Sequence, residues 1–202
     1  MYIDISCYSI FFTCKSSHSQ KTTNPEARKL NDSAVKLDLQ YNGDSLYERK
    51  IALLNQAIKL DSTYFTAYWN KFTFQNGLKQ YEYSVLTGKQ MIKLEPNDVV
   101  VQYLVGEVYE KMDDTVLARQ YYERSLATST ELLKKINSNT KRYKSLQLNQ
   151  AIALILLRRT VQGDKIIKEL YNTAVDTSNN ETYRMLLNMK REEFINGKTV
   201  SN

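Results

Sequence analysis

Lys93-Leu94-Glu95-Pro96-Asn97, followed by a helix–turn–helix pattern through residues 99–126, decides how this chain is read. The pentapeptide has an earlier counterpart, Lys59-Leu60-Asp61-Ser62-Thr63, at a spacing of 34 residues. In the same register Ala57 pairs with Met91, Tyr68 with Gln102, Phe72 with Gly106 and Gln75 with Tyr109. A unit of that length, helical on both sides of a turn, cannot bury its apolar face alone. Copies must stack to make a core.

Composition points the same way. The 202 residues are 42% hydrophobic and 25% charged, which is ordinary for a folded domain. Six glycines and two prolines leave few helix breakers, and no stretch alternates with period two. The expected class is all-α, an array of antiparallel helix hairpins with about three to four repeats and a C-terminal capping helix. Its domain would span residues 25–198, after an N-terminal segment at 1–24 and before a tail at 199–202.

The clearest copy covers residues 99–126. Gly106 and Tyr109 lie on its first helix, Asp113-Asp114 in its turn, and Ala118, Tyr122 and Ser125 on its second. The preceding copy, 65–98, opens on Ala67-Tyr68-Trp69-Asn70 and closes on the helix-stopping Pro96. It carries Phe72 in place of Gly106, Gln75 in place of Tyr109 and Gly88 in place of Tyr122. Gly88 opposite Phe72 reads as a compensating exchange of small for large. A looser copy places a helix at about 26–41, a turn at Asn42-Gly43-Asp44 and a second helix at about 47–60, with Ile51, Leu54, Ala57 and Ile58 at helical spacing. The last copy is stretched, and Asn137-Ser138-Asn139-Thr140 is its one break, with Asn139 or Thr140 as cap. Aligning Tyr171 and Ala174 with Tyr122 and Ser125 gives a 49-residue period and puts the next turn at Gly163-Asp164. A final helix at about 180–194 carries Tyr183, Leu186, Leu187 and Met189.

These residues in this order resemble the tetratricopeptide repeat, over roughly residues 26–180. The resemblance implies that Gly106 and Ala118 let paired helices approach closely, while Tyr109 and Tyr122 fill the space between units. It also implies a protein or peptide partner, gripped in a concave groove lined by the first helix of each unit. The groove positions fall on Thr66, Trp69, Asn70 and Thr73 in one copy and on Val100, Tyr103, Glu107 and Glu110 in the next. Trp69 and Tyr103 are the anchors expected there, with inter-helix packing the other reading of Trp69. Family members that clamp a C-terminal carboxylate carry Lys and Arg where this chain has Val100 and Leu104, so that subtype is not implied.

No catalytic constellation emerges. The single histidine, His18, sits in the N-terminal segment, which leaves Ser and Asp residues without a base partner. No phosphate-binding glycine loop is present. The sequence implies neither enzyme activity, nor a small-molecule substrate, nor a cofactor, nor a metal site.

The N-terminal segment has an apolar run, Cys7-Tyr8-Ser9-Ile10-Phe11-Phe12-Thr13-Cys14, and then a polar Lys/Ser-rich stretch. That order resembles the end of a bacterial lipoprotein signal, with Cys14 as the lipidated residue and the cell envelope as location. Against it, no Lys or Arg precedes the run, Asp4 stands where positive charge is expected, and the run is short. An uncleaved N-terminus on a cytoplasmic protein is the alternative. Finally, the net charge of +6 is concentrated in residues 131–170, which hold nine basic and three acidic residues. Such a region attracts nucleic acid or an anionic surface, but it lacks an aromatic–basic platform. Nucleic acid is therefore the alternative partner, not the expected one.

Overall fold

The computed structural model describes residues 23–37, 44–174 and 177–196, and among these every regular element is a helix. Two compact units divide the chain at Asp113 and Asp114.

The first unit holds α1 (Pro25–Lys36), α2 (Asp44–Leu60), α3 (Phe65–Gly77), α4 (Tyr81–Leu94) and α5 (Val99–Lys111). Each packs against the next in sequence, and α1 also meets α3. Asn24 opens α1 by accepting from the Glu26 and Ala27 backbone N–H groups, with Pro25 in the first turn. Asp98 opens α5 in the same way through Val100 N (2.9 Å) and Val101 N (3.1 Å). One core cluster joins α1, α2 and α3 through Ala27, Ala34, Leu54, Ala57, Ala67 and Phe74, with Tyr47, Ile51 and Ile58 packed against it. The expected first helix ends at Lys36 with Leu37 as its cap; residues 38–41 of its anticipated span and Asn42-Gly43 lie outside the described residues. The second helix starts at Asp44, three residues ahead of the expected Tyr47.

The 34-residue period is visible in the helix boundaries themselves. α3 and α5 begin at 65 and 99 and end at 77 and 111. The departures from the repeat pattern are resolved by packing. A Cβ on Gly88 would stand 2.4 Å from Val105 Cγ2 and 3.1 Å from Phe72 Cε2, so the large Phe72 is accommodated by the missing side chain, as expected. Gln75, standing for an aromatic, is buried and accepts a 2.7 Å hydrogen bond from Thr87 Oγ1. Tyr109 is buried, with Lys89 Nζ 5.5 Å from its ring centroid. Lys50, fully enclosed on α2, sets its Nζ over the Tyr47 and Phe74 rings, 4.4 Å and 4.8 Å from their centroids.

The second unit holds α6 (Thr115–Leu133), α7 (Lys141–Leu156), α8 (Thr160–Asn172), α9 (Thr177–Asn188) and α10 (Arg191–Asn196). α6, α7, α8 and α9 pack in sequence, and α10 returns to α7, where Arg191 Nε donates to Leu156 O at 2.8 Å. Ala118, Tyr122 and Ser125 are buried, as their register requires. Thr140 caps α7 through Tyr143 N at 3.1 Å, so the anticipated break is real.

Three expectations for this unit are corrected. The turn after α7 lies at 157–159, not at Gly163-Asp164, which belong to α8. Gly163 is there for close approach: a Cβ would meet Ile155 Cγ1 at 2.7 Å and Ala151 O at 2.8 Å. α6 and α8 begin at 115 and 160, so the stretched period is 45 residues rather than 49. Gly163 then matches Ala118, Ile167 matches Tyr122 and Ala151 matches Gly106. The single terminal helix is also two, broken at 189–190, where Lys190 N is held by Glu193 Oε2 at 2.8 Å.

Turns in the two units share one device. Lys79, Asp113 and Arg158 all adopt left-handed backbone, with φ of 59°, 61° and 62°. After Lys79 and Arg158 the chain winds over the preceding helix, Gln80 N donating to Gln75 O at 2.9 Å and Arg159 N to Leu154 O at 2.8 Å. A side chain costs energy in this conformation and glycine does not. Arg158 is exposed, so Arg158→Gly is expected to raise stability by about 0.5–1 kcal/mol, read as a higher urea midpoint with an unchanged slope.

Candidate interaction face

The first helices of successive hairpins in the first unit touch through polar side chains. Asn70 Nδ2 on α3 donates to Asn31 Oδ1 on α1 at 2.7 Å. Lys111 Nζ on α5 donates to Asn76 Oδ1 on α3 at 3.2 Å. These two bonds tie α1 to α3 and α3 to α5.

Thr66, Trp69, Asn70 and Thr73 recur at helical spacing and share a face of α3. Thr66 is exposed and the other three are half-buried. The Trp69 ring lies 6.4 Å from that of Phe65, tilted by 32°, and Thr73 Oγ1 donates to Trp69 O at 3.0 Å. On α5 the positions differ in character. That helix is buried without interruption from Val99 to Tyr109, because Val99, Val100, Val101, Leu104, Val105 and Val108 make it apolar on every side. Val100, Tyr103 and Glu107 keep 8%, 2% and 5% of their surface, and Glu110 is half-buried. As folded, α3 therefore offers a partner most of the accessible area.

Glu107 is the electrostatic exception. Burial lifts its carboxyl to about 8; Lys111 pulls it down and Glu110 pushes it further up. Burial also lowers the Lys111 ammonium, with Glu107 acting against that shift. Asn31, Asn76 and Lys111 were not among the residues expected on this face. The period could have supplied Asn76, which lies 34 residues before Glu110; nothing in the sequence marks the other two.

The basic residues of 131–170 do not form one strip. Lys134, Lys135, Lys141 and Arg142 are exposed at one end of α7, and Arg158 and Arg159 at the other, about 24 Å away for a 16-residue helix. Among the described residues, no three His, Cys, Asp or Glu side chains are grouped to hold a metal ion. No described helix is long and apolar enough to cross a membrane. Cys14 and His18 lie outside the described residues.

No protein-family model matches the chain, and no curated protein matches it significantly. Solved structures similar to it include a crystal structure of MamA, at 15% identity over 80% of this chain and 83% of that one, with a TM-score of 0.49. Another is MamA 41-end from Desulfovibrio magneticus RS-1, at 14% identity over 72% and 74% of the two chains, with a TM-score of 0.47. The likeness concerns the arrangement of helices and extends to no particular side chain.

Proposed function

We propose that the chain is a non-catalytic interaction scaffold that holds an extended peptide or a partner protein along the first unit, on the face of α3 that carries Thr66, Trp69, Asn70 and Thr73. The observation behind this reading is the tie of α3 to α1 and to α5 through Asn31–Asn70 and Asn76–Lys111. It fixes α3 against its neighbours while Thr66 stays exposed and Trp69, Asn70 and Thr73 stay partly exposed. Tryptophan buries a large area at small entropic cost, so Trp69 is the anchor. Trp69→Ala is expected to weaken a partner captured from native cells by tenfold or more while leaving the helical circular dichroism unchanged. A folded Trp69→Ala variant that binds the captured partner with full affinity would remove this face from consideration.

The same reading places the protein at the cell envelope, tethered through lipid on Cys14. Its support is the sequence order of apolar run, cysteine and polar linker. Labelled palmitate should enter the wild type and not Cys14→Ser; equal labelling of both, or of neither, rejects the tether.

A further inference from the structure

The 45-residue period lengthens one hairpin by eleven residues, and these are not spread evenly. Relative to α4 and α5, α6 gains five residues, α7 gains three, and the loop between them gains three. All of the excess therefore builds the tip at 130–143. α8 ends level with Lys144, whose Nζ donates to Thr173 O at 3.4 Å, so the tip extends past it.

Four cations crown this tip: Lys134, Lys135, Lys141 and Arg142, all exposed. Glu131 is the carboxylate among them, and it is held by Lys134 at 2.7 Å. Lys141 and Arg142 occupy the first turn of α7, where the helix dipole disfavours positive charge. No ion pair holds either one among the described residues. A local rule broken without compensation marks a position kept for something other than stability. Between the cations lie apolar side chains, Leu132, Leu133 and Ile136, each half-buried.

We infer that this tip docks on an anionic lipid surface. A protruding end meets a flat surface with all its cations at once, and interleaved apolar groups suit the headgroup boundary. A nucleic acid would require a groove that tracks its backbone and rings on which bases stack. Tyr143 is the single aromatic residue of 130–143, and it is half-buried, so the tip offers no series of rings for stacking.

The test uses the full chain and sedimentation with vesicles of phosphatidylcholine containing about one-third phosphatidylglycerol, against phosphatidylcholine alone. Binding is expected to the first and not the second. Each surface-facing cation contributes about fivefold, so K141S/R142S should bind about thirtyfold more weakly. R159S/K165S, which removes the same charge elsewhere on the unit, should bind like the wild type. Absence of binding to anionic vesicles at low salt overturns the inference, and so do equal losses in the two double variants, which would mean diffuse net charge. A labelled DNA duplex that binds as tightly as the vesicles, and is lost in the same variant, would also overturn it and assign the tip to nucleic acid.

Discussion

Gly163→Ala is expected to destabilise the second unit by about 3 kcal/mol, at the upper end of what one added methyl group costs in a packed interior. Alanine is the better helix former by somewhat under 1 kcal/mol, so propensity alone predicts a gain. Geometry decides otherwise. The new Cβ would stand 2.8 Å from Ala151 O, a backbone atom that no rotamer change can move, and 2.7 Å from Ile155 Cγ1. Relief requires α7 and α8 to separate, which opens the buried contacts of Ala151, Ile155 and Ile167. Gly88→Ala is the informative comparison. Its nearest neighbours, Val105 Cγ2 and the Phe72 ring, are side-chain atoms that can yield, so about 1–2 kcal/mol is expected. Val105→Ala in the same chain should recover part of that loss, and no equivalent rescue exists for Gly163. Urea unfolding of the variants reads these differences directly. A Gly163→Ala variant as stable as the wild type would show that the two helices are not in close contact.

The second large effect is a pH dependence set by Glu107. Its carboxyl ionises at about 8 in the folded chain and near 4.5 without the fold, because burial penalises the charged form. Between these values the folded state binds the proton that the unfolded state has released. Stability therefore falls as pH rises from about 4.5, and the penalty is complete once pH exceeds 8. Lys111 acts in the opposite sense: burial lowers its pKa below the ordinary 10.5, so its contribution recovers as pH climbs past the folded value toward 10.5. The Glu107 contribution is expected to decline from about pH 4.5 and to level off above pH 8. Glu107→Gln should leave stability at pH 5 nearly unchanged, since the protonated carboxyl and the amide are alike in shape and charge. At pH 8 it should raise stability, on the order of 4 kcal/mol. Thermal melts across pH 5 to 9.5 test both statements. A wild-type curve that rises between pH 5 and 8 would place Glu107 in a solvated environment.

Much of this architecture is legible without coordinates because the repeat is a packing rule written at fixed spacing. Gly106, Tyr109, Ala118 and Tyr122 had to be buried for hairpins to stack, and they are. The Asp113-Asp114 turn and the Thr140 cap were also readable, since each depends on a few adjacent residues. Gly163 misled because glycine serves two physical ends, left-handed turns and close approach, and sequence does not say which. The turn itself is built on Arg158, a residue type that carries no turn signal. The break at 189–190 has neither Gly nor Pro to announce it. For the interaction face, the period locates Thr66, Trp69, Val100 and Tyr103 correctly on first helices. It cannot say that α5 is enclosed on every side, because burial is a property of whatever surrounds a helix.

The missing side chain at residue 88 has a consequence for how such a chain can change length. One hairpin earlier, the corresponding residue is Leu54, so excising 65–98 as a cassette would bring an isobutyl group to the spot that Val105 Cγ2 needs empty. Neighbouring hairpins are thus matched by size, like a key cut for one lock. Loss or duplication of a whole hairpin would require a second substitution before the shortened or lengthened chain could close its seam.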